Sequence, residues 1–214
     1  MLSIKKQSLV DMVYDKLREA IIQLKLPLGS KLNVNELQNQ IGVSCTPIRE
    51  AINRLQQEGL VVYENNVGAH IISLEPHDVL EIQQLAMTLH CAAIRLAMVN
   101  GDREVIVSEL KERLEEYVHA RNPHDEVMAV KEFLGTYYHN CGNRRLDRHM
   151  LAIQGQQTLL RHIYAANVKE RGAEAETFRQ MLDNTIAGDV DAVCQTLQKY
   201  TDHMTLIVEG AVSR

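Results

Sequence analysis

Three side chains in one short segment, Ser44, Thr46 and Arg49, are the part of this sequence best suited to binding a polyanion. The hydroxyls of Ser44 and Thr46 are carried on short side chains, so phosphate groups can approach the backbone and accept hydrogen bonds there. Arg49 lies three residues after Thr46, which places both on one face of a helix. A guanidinium in that position can donate two hydrogen bonds to a guanine. The pattern predicts a DNA-binding surface.

A helix predicted over residues 44–58 positions these side chains. Gly42 turns the chain, Ser44 can cap the helix, and Gly59 stops it. The opposite face is apolar and is expected to pack on a core. Its members are Ile48, Ala51, Ile52 and Leu55.

The neighbouring segments complete a compact unit around this helix. Helices are predicted over residues 8–24 and 33–40, and β-strands over 60–63 and 69–72. The turn between the strands contains Asn66 and Gly68, which we expect to reach the DNA minor groove as the tip of a wing. Three helices followed by a two-stranded wing are typical of a winged helix-turn-helix. The alternative is an ordinary three-helix unit in which Arg49 pairs with Glu36 or Glu50.

The remainder of the chain is predicted to be almost entirely helical. Glu75-Pro76 marks a linker, so we expect one domain over residues 1–74 and a second over 75–214. The second should contain six or seven helices, which makes the fold class mainly α. Helices are predicted near residues 77–99, 103–120, 124–141, 143–168, 171–187 and 189–212.

Charge and composition restrict the functional classes. The net charge is −5, but residues 1–74 hold eight Lys or Arg against seven Asp or Glu, so the acidity lies in the second domain. Phosphate binding needs local cations rather than a basic whole. The candidates are Lys5, Lys6, Lys16, Lys25, Lys31, Arg49 and Arg54.

Several other classes are disfavoured by what the sequence lacks. It has no apolar run near 18 residues and no secretory leader, so we expect a cytoplasmic protein without a membrane span. The four cysteines share no CxxC spacing and are expected to be reduced thiols, most of them buried. No GxSxG, HExxH or P-loop is present, and we therefore expect no enzyme activity.

The segment GVSCTPIREAINRLQQEGLVVYENNVGAHI resembles the DNA-binding domain of the GntR family of bacterial regulators. The resemblance covers residues 9–72 and implies DNA contacts by Ser44, Thr46, Arg49 and Gly68. One departure is Cys45, where the family commonly has Arg. The departure leaves the operator sequence in question but not DNA binding itself.

Residues 77–210 resemble the all-helical FCD domain of the fatty-acid-regulator branch of that family. The resemblance lies in the helix opening at Asp78, the Gly142-Asn143 turn and the Gly188-Asp189 turn. Many FCD domains hold a divalent metal with one Asp and three His, and the metal binds a carboxylate effector. An Arg often found in the first FCD helix falls on Ala86 here. The four metal-ligand positions fall on Val130, Leu134, Phe178 and Tyr200.

Val130, Leu134 and Phe178 cannot replace metal ligands and Tyr200 is a poor one, so we expect no metal cofactor. Two alternatives remain open: the four residues line a pocket for an apolar or metal-independent effector, or the pocket has filled in. A displaced metal site is a less favoured third alternative. Its candidate ligands are His139, His149, His162 and His203.

The sequence thus predicts an effector-responsive transcription regulator, in the repressing mode that is commoner in the resembled family. It should bind a palindromic double-stranded operator as a homodimer, because each recognition helix contacts one half-site. The helical domain is expected to supply the dimer surface. The alternative function is a ligand-independent helical interaction or architectural protein.

Overall fold

The computed structural model describes residues 8–64, 67–168 and 174–213, and these residues are mainly α-helical. The chain divides into two compact units between Ser73 and Leu74. Each unit has its own buried apolar core.

The N-terminal unit contains three helices followed by a two-stranded sheet. Its elements are α1 (Leu9–Ile22), α2 (Val34–Ile41), α3 (Cys45–Gln57), β1 (Val61–Glu64) and β2 (Gly68–Ile71). The helix starts follow local sequence signals: Ser8 and Asp11 form a capping box at α1, and the Asn33 side chain caps α2. The winged helix-turn-helix architecture is confirmed.

The wing is a short antiparallel hairpin. Val61 pairs with Ile71 at one end and Glu64 with Gly68 at the other. Lys31 adds an isolated bridge to His70, supported by a hydrogen bond of 2.8 Å from the Leu32 N–H to the Ala69 carbonyl. The segment between α1 and α2 is thereby attached to the sheet.

Packing of α1 on α3 forms the core of this unit, because both helices bury their apolar faces. Val13, Leu17 and Ile21 from α1 lie among the buried residues together with Ile48 and Leu55 from α3. Burying a side chain of this size stabilises the fold by roughly 1.5–3 kcal/mol. The polar face of α3 is thus fixed on the outside.

The C-terminal unit is a six-helix bundle within the described residues. Its helices are α4 (Pro76–Asn100), α5 (Arg103–Val118), α6 (Pro123–Asn140), α7 (Arg144–Asn167), α8 (Ala175–Ala187) and α9 (Val190–Val212). Helix α4 packs on α6, α7 and α9, and is the central helix. It is long and apolar enough, by length and composition alone, to cross a membrane. Its packing inside the bundle accounts for that apolar composition.

A few predicted boundaries shift. Helix α1 ends at Ile22 instead of residue 24, because Leu24 adopts a left-handed φ of 58°. The strands lie one residue from their predicted positions. The helix predicted from residue 171 begins at Ala175, and residues 169–173 lie outside the described part. Two of the four free cysteines, Cys141 and Cys194, are buried, so the prediction that most are buried was wrong.

Candidate nucleic-acid interface and helical-unit cavity

The N-terminal turn of α3 presents the three predicted DNA-binding side chains to solvent. Ser44, Thr46 and Arg49 are exposed, while Ile48 and Ile52 on the opposite face are buried. Ser44 has the extended backbone of an N-cap residue (ψ 164°), but its hydroxyl forms no capping hydrogen bond with the described residues. The Ser44 hydroxyl therefore does not cap the helix as predicted.

Cys45 lies at the position where the resembled family commonly has Arg. Its thiol donates a hydrogen bond of 2.9 Å to the side-chain oxygen of Gln38 in α2. A side chain engaged in this way joins the two helices of the helix-turn-helix. The Cys45 thiol brings no charge to this surface, whereas an Arg at the same position would add a cation.

Arg49 and Arg54 have different environments although both belong to α3. Within residues 8–64 and 67–73, no acidic side chain forms an ion pair with Arg49, so the alternative of pairing with Glu36 or Glu50 does not hold. Arg54 contacts Asp11 at 2.7 Å and lies over the Tyr14 ring, 4.0 Å from its centroid. Arg54 therefore supports the fold and is not an available phosphate ligand.

The Asp11 carboxylate is correspondingly stabilised in its charged form. Hydrogen bonds from the Ser8 side chain and from Arg54 lower its pKa to about 2. Asp11 thus stays ionised at neutral pH and holds Arg54 against α1.

A groove of about 740 Å³ lies between α3 and the wing. Lys31 and Arg49 both line it, together with Asn53, Tyr63 and Gly68. Gly68 has a φ of 106°, which disfavours any residue with a side chain, and Lys31 Cε lies 3.7 Å from where a Cβ would stand. The two cations and the glycine therefore share one concave surface. Asn66, also predicted to contact DNA, lies outside the described residues.

In the helical unit, the structure buries all four residues of the predicted effector pocket. Leu134 and Tyr200 border a gap in the bundle core that leaves no room for a water molecule, and Val130 and Tyr200 border a second gap of about 20 Å³. Phe178 instead packs its ring among neighbouring aromatic rings, 5.2 Å from Phe133 and 5.4 Å from Tyr200 between centroids. Part of the predicted pocket is therefore aromatic core.

The residues around the first gap also include polar groups that sequence reasoning missed. Arg161 and His90 are only 4% and 5% exposed and border this gap beside Ala86. The resemblance places the first-helix Arg at Ala86, whereas the guanidinium observed in this region comes from Arg161 of α7. The local sequence gives only a weak signal for burial, since Arg161 follows the apolar residues Leu159 and Leu160 and precedes His162.

Burial changes the ionisation of both groups. Desolvation lowers the pKa of His90 to about 3, with a further contribution from the Arg161 charge, so His90 is neutral at pH 7. Desolvation also lowers the pKa of Arg161, while the Tyr200 and Tyr138 hydroxyls nearby oppose that shift. A guanidinium remains protonated in proteins even so, and Arg161 is therefore a fixed cation in the bundle core.

The described residues contain no group of three or more His, Cys, Asp or Glu that could hold a metal ion. Two of the candidate ligands of a displaced metal site have other neighbours. His162 Nε2 lies 3.1 Å from His124 Nδ1, and the ring centroids of His203 and Tyr164 are 6.1 Å apart. These histidines contact ring systems in the described structure and do not assemble into a ligand set.

A winged helix-turn-helix with an exposed polar recognition face, followed by a separate helical bundle, defines the class of two-domain bacterial transcription regulators. Residues 9–71 match the model of the bacterial regulatory proteins of the gntR family, and residues 81–203 match the FCD domain. The chain belongs to the GntR family, in the group whose C-terminal domain is of the FCD type. Members of this family are transcription regulators and not enzymes.

Individual relatives agree with this assignment. The HTH-type transcriptional regulator BphR of Paraburkholderia xenovorans is 24% identical over 94% of this chain and 86% of its own length. A probable D-xylose utilization operon transcriptional repressor of Paenarthrobacter nicotinovorans is 33% identical over 44% of this chain and 42% of its own. The crystal structure of a GntR regulator from Rhodococcus sp. RHA1 has the same fold, with a TM-score of 0.77 at 22% identity over 94% of this chain and 98% of that one.

Proposed function

We propose that this protein is an effector-responsive repressor that binds a palindromic operator as a homodimer in the bacterial cytoplasm. DNA binding is assigned to residues 1–74, and effector binding and dimerisation to residues 75–214. The observation that carries the proposal is the exposed row of Ser44, Thr46 and Arg49 on α3, beside a groove that also holds Lys31.

The dimer follows from the geometry of DNA. One recognition helix covers one half-site in the major groove, and a second copy related by two-fold symmetry covers the other. Repression is supported by the relative named as an operon repressor. An effector that binds one arrangement of the dimer more tightly would change operator affinity. Light scattering of the full chain should give the mass of a dimer, and a monomeric mass at operator-binding concentrations would contradict this part.

Operator binding is expected to weaken steeply as salt rises. Each protomer brings two groove cations to the DNA, Lys31 to a phosphate and Arg49 to the major groove, so a dimer is expected to release about four counterions and the slope of log affinity against log salt is roughly −4. Between 50 and 200 mM salt the affinity then falls by roughly 100-fold or more. The measurement is a gel-shift titration on DNA from upstream of the protein's own gene.

A matched pair of lysine variants tests the source of that slope. Lys31→Ala removes one groove cation per protomer and should make the slope shallower by roughly 2 for a dimer. Lys111→Ala removes an exposed lysine of α5 and should leave the slope unchanged. Affinity that does not respond to salt, or no shift on any such fragment, would favour the helical interaction protein instead.

The regulator is proposed to work without a bound metal. Val130, Leu134, Phe178 and Tyr200 occupy the positions at which the related domains carry metal ligands, and three of these are hydrocarbon side chains. Treatment with EDTA is therefore expected to leave the melting temperature unchanged, and elemental analysis should find no stoichiometric divalent metal. One zinc per chain that a chelator removes with a loss of stability would refute this proposal.

A further inference from the structure

We propose that Cys91 and Cys194 form a redox-responsive dithiol, which a hydroperoxide oxidises to a disulfide that fixes α9 on α4. Both cysteines belong to the helical unit, so this chemistry is independent of DNA binding. Three features of the unit support it: the register of two packed helices, the access of solvent to one thiol, and the charge beside that thiol.

Helices α4 and α9 are held side by side by two contacts that fix their register. The Thr201 hydroxyl donates a hydrogen bond of 3.8 Å to Met87 Sδ, and Arg95 Nη2 lies 2.9 Å from Asp191 Oδ1. The partners advance along α4 as they go back along α9, so the two helices run antiparallel. A residue of α4 between Met87 and Arg95 therefore faces the part of α9 between Asp191 and Thr201.

Cys91 and Cys194 are the facing pair in that register. Cys91 lies four residues from Met87 and four from Arg95, so all three share one face of α4. The Cys91 sulfur is hydrogen-bonded to the Cys194 thiol. A disulfide has a narrow range of bond length and torsion angle and needs two side chains that point towards each other. The packing of α4 on α9 provides that arrangement while both thiols are reduced.

The two thiols differ in their access to solvent. Cys91 is half-buried and lines a groove of about 600 Å³ between α4 and α9. Cys194 is only 7% exposed. A hydroperoxide that enters the groove therefore reaches Cys91 first, and Cys194 is placed to react second.

The surroundings of the pair favour a thiolate on Cys91. The hydrogen bond from Cys194 lowers the pKa of the Cys91 thiol, and the positive charge of Arg95 adds to this shift, while burial opposes it. The thiolate is the form of cysteine that attacks a peroxide. The same hydrogen bond, together with burial, raises the pKa of Cys194. Cys194 thus keeps its proton until Cys91 has reacted.

The oxidation takes two steps. The Cys91 thiolate attacks one oxygen of the hydroperoxide, the O–O bond breaks, and the departing oxygen takes up the proton that the thiol released, leaving as an alcohol or as water. The Cys194 sulfur then attacks the resulting sulfenic acid, the S–O bond breaks, and hydroxide leaves as water with the Cys194 proton. Two electrons pass from the thiols to the peroxide.

The disulfide is reversible, because a dithiol reductant returns both sulfurs to thiols by exchange. In the bacterial cytoplasm, the compartment proposed above, disulfides are mostly transient and serve catalysis or redox sensing. The other two cysteines have different partners and provide controls. The Cys45 thiol donates to Gln38 in the N-terminal unit, and Cys141 Sγ accepts a hydrogen bond of 3.3 Å from the Asn143 N–H.

Peptide mapping by mass spectrometry tests the pair, after the reduced full chain has been treated with hydrogen peroxide. We expect a cross-linked peptide that contains Cys91 and Cys194 and has lost two hydrogen atoms, and dithiothreitol should remove it. Cys45→Ala is the matched control and should keep the cross-link. A covalent dimer on a non-reducing gel in place of the internal cross-link, or no cross-link at all, would overturn the proposal.

Two single variants test the order of the steps. Cys194→Ala leaves the first step without its partner, so a sulfenic acid should accumulate on Cys91 and be trapped by dimedone. Cys91→Ala leaves only the buried thiol, and Cys194 should react with peroxide roughly 10-fold more slowly or less. Equal rates at the two cysteines would contradict the assigned roles.

Thermal unfolding tests whether the disulfide fixes α9 on α4. Oxidation should raise the melting temperature of the wild-type chain by roughly 5 °C or more, because the cross-link closes a long loop of the unfolded chain. The same peroxide treatment should not raise the melting temperature of Cys194→Ala. An oxidised wild type that melts no higher than the reduced protein would refute the fixing of α9. These measurements use no DNA, so they stand or fall apart from the operator hypothesis.

Discussion

Replacing Arg49 with alanine is expected to abolish sequence-specific operator binding while the protein stays folded. The side chain is exposed on α3 and has no intramolecular ion pair within the described N-terminal unit, so its loss costs the fold little. In the complex it is expected to bind a guanine bidentately, and losing that contact costs about 1–3 kcal/mol per half-site. Gel shifts with operator and with unrelated DNA, together with circular dichroism, measure both effects.

Arg54→Ala is the informative comparison because it removes an arginine from the same helix. Arg54 joins α3 to α1 through Asp11 and Tyr14. Its loss is expected to lower the stability by about 1 kcal/mol but to retain the preference for operator over unrelated DNA. If Arg49→Ala kept wild-type operator affinity, its assigned role would be refuted.

The DNA-binding unit could be predicted from sequence because its signals are local. Capping by Ser8, the left-handed turn at Gly42 and the 3.6-residue apolar spacing of α3 each act within a few residues. Those signals determine which face of α3 packs inward and which is exposed. What the local pattern did not give was the distinction between Arg49 and Arg54, since that depends on contacts with α1, more than 40 residues earlier.

The helices of the C-terminal unit could be predicted from the sequence, but the polar groups buried between them could not. The sequence shows Leu134 and Tyr200 where the resemblance places metal ligands, and both residues border the same tightly packed gap in the bundle core. Arg161 could not be placed there, because a charge in a helix normally belongs to its solvated face. Only the packing of α4, α6, α7 and α9 around it shows that this guanidinium is buried, and that His90 from α4 lies on the same cavity.

The same packing connects the cavity to the stability of the protein. His90 is uncharged in the folded state because burial, together with the Arg161 charge, lowers its pKa to about 3. In the unfolded chain a histidine has a pKa of about 6.5. Between these two values the unfolded chain holds a proton that the folded protein excludes. The contribution of neutral His90 to the free energy of unfolding is therefore fully present above pH 6.5 and is lost as the pH falls towards 3.

Urea unfolding followed by circular dichroism should show this loss. From pH 7 to pH 5, the His90 contribution to the free energy of unfolding falls by about 2 kcal/mol. His90→Gln cannot titrate, so its stability should decrease less over the same interval. His162, whose pKa is also lowered by burial, contributes in the same direction but is present in both proteins. The difference between the two pH profiles therefore isolates His90, and identical profiles would show that the buried imidazole is not held neutral.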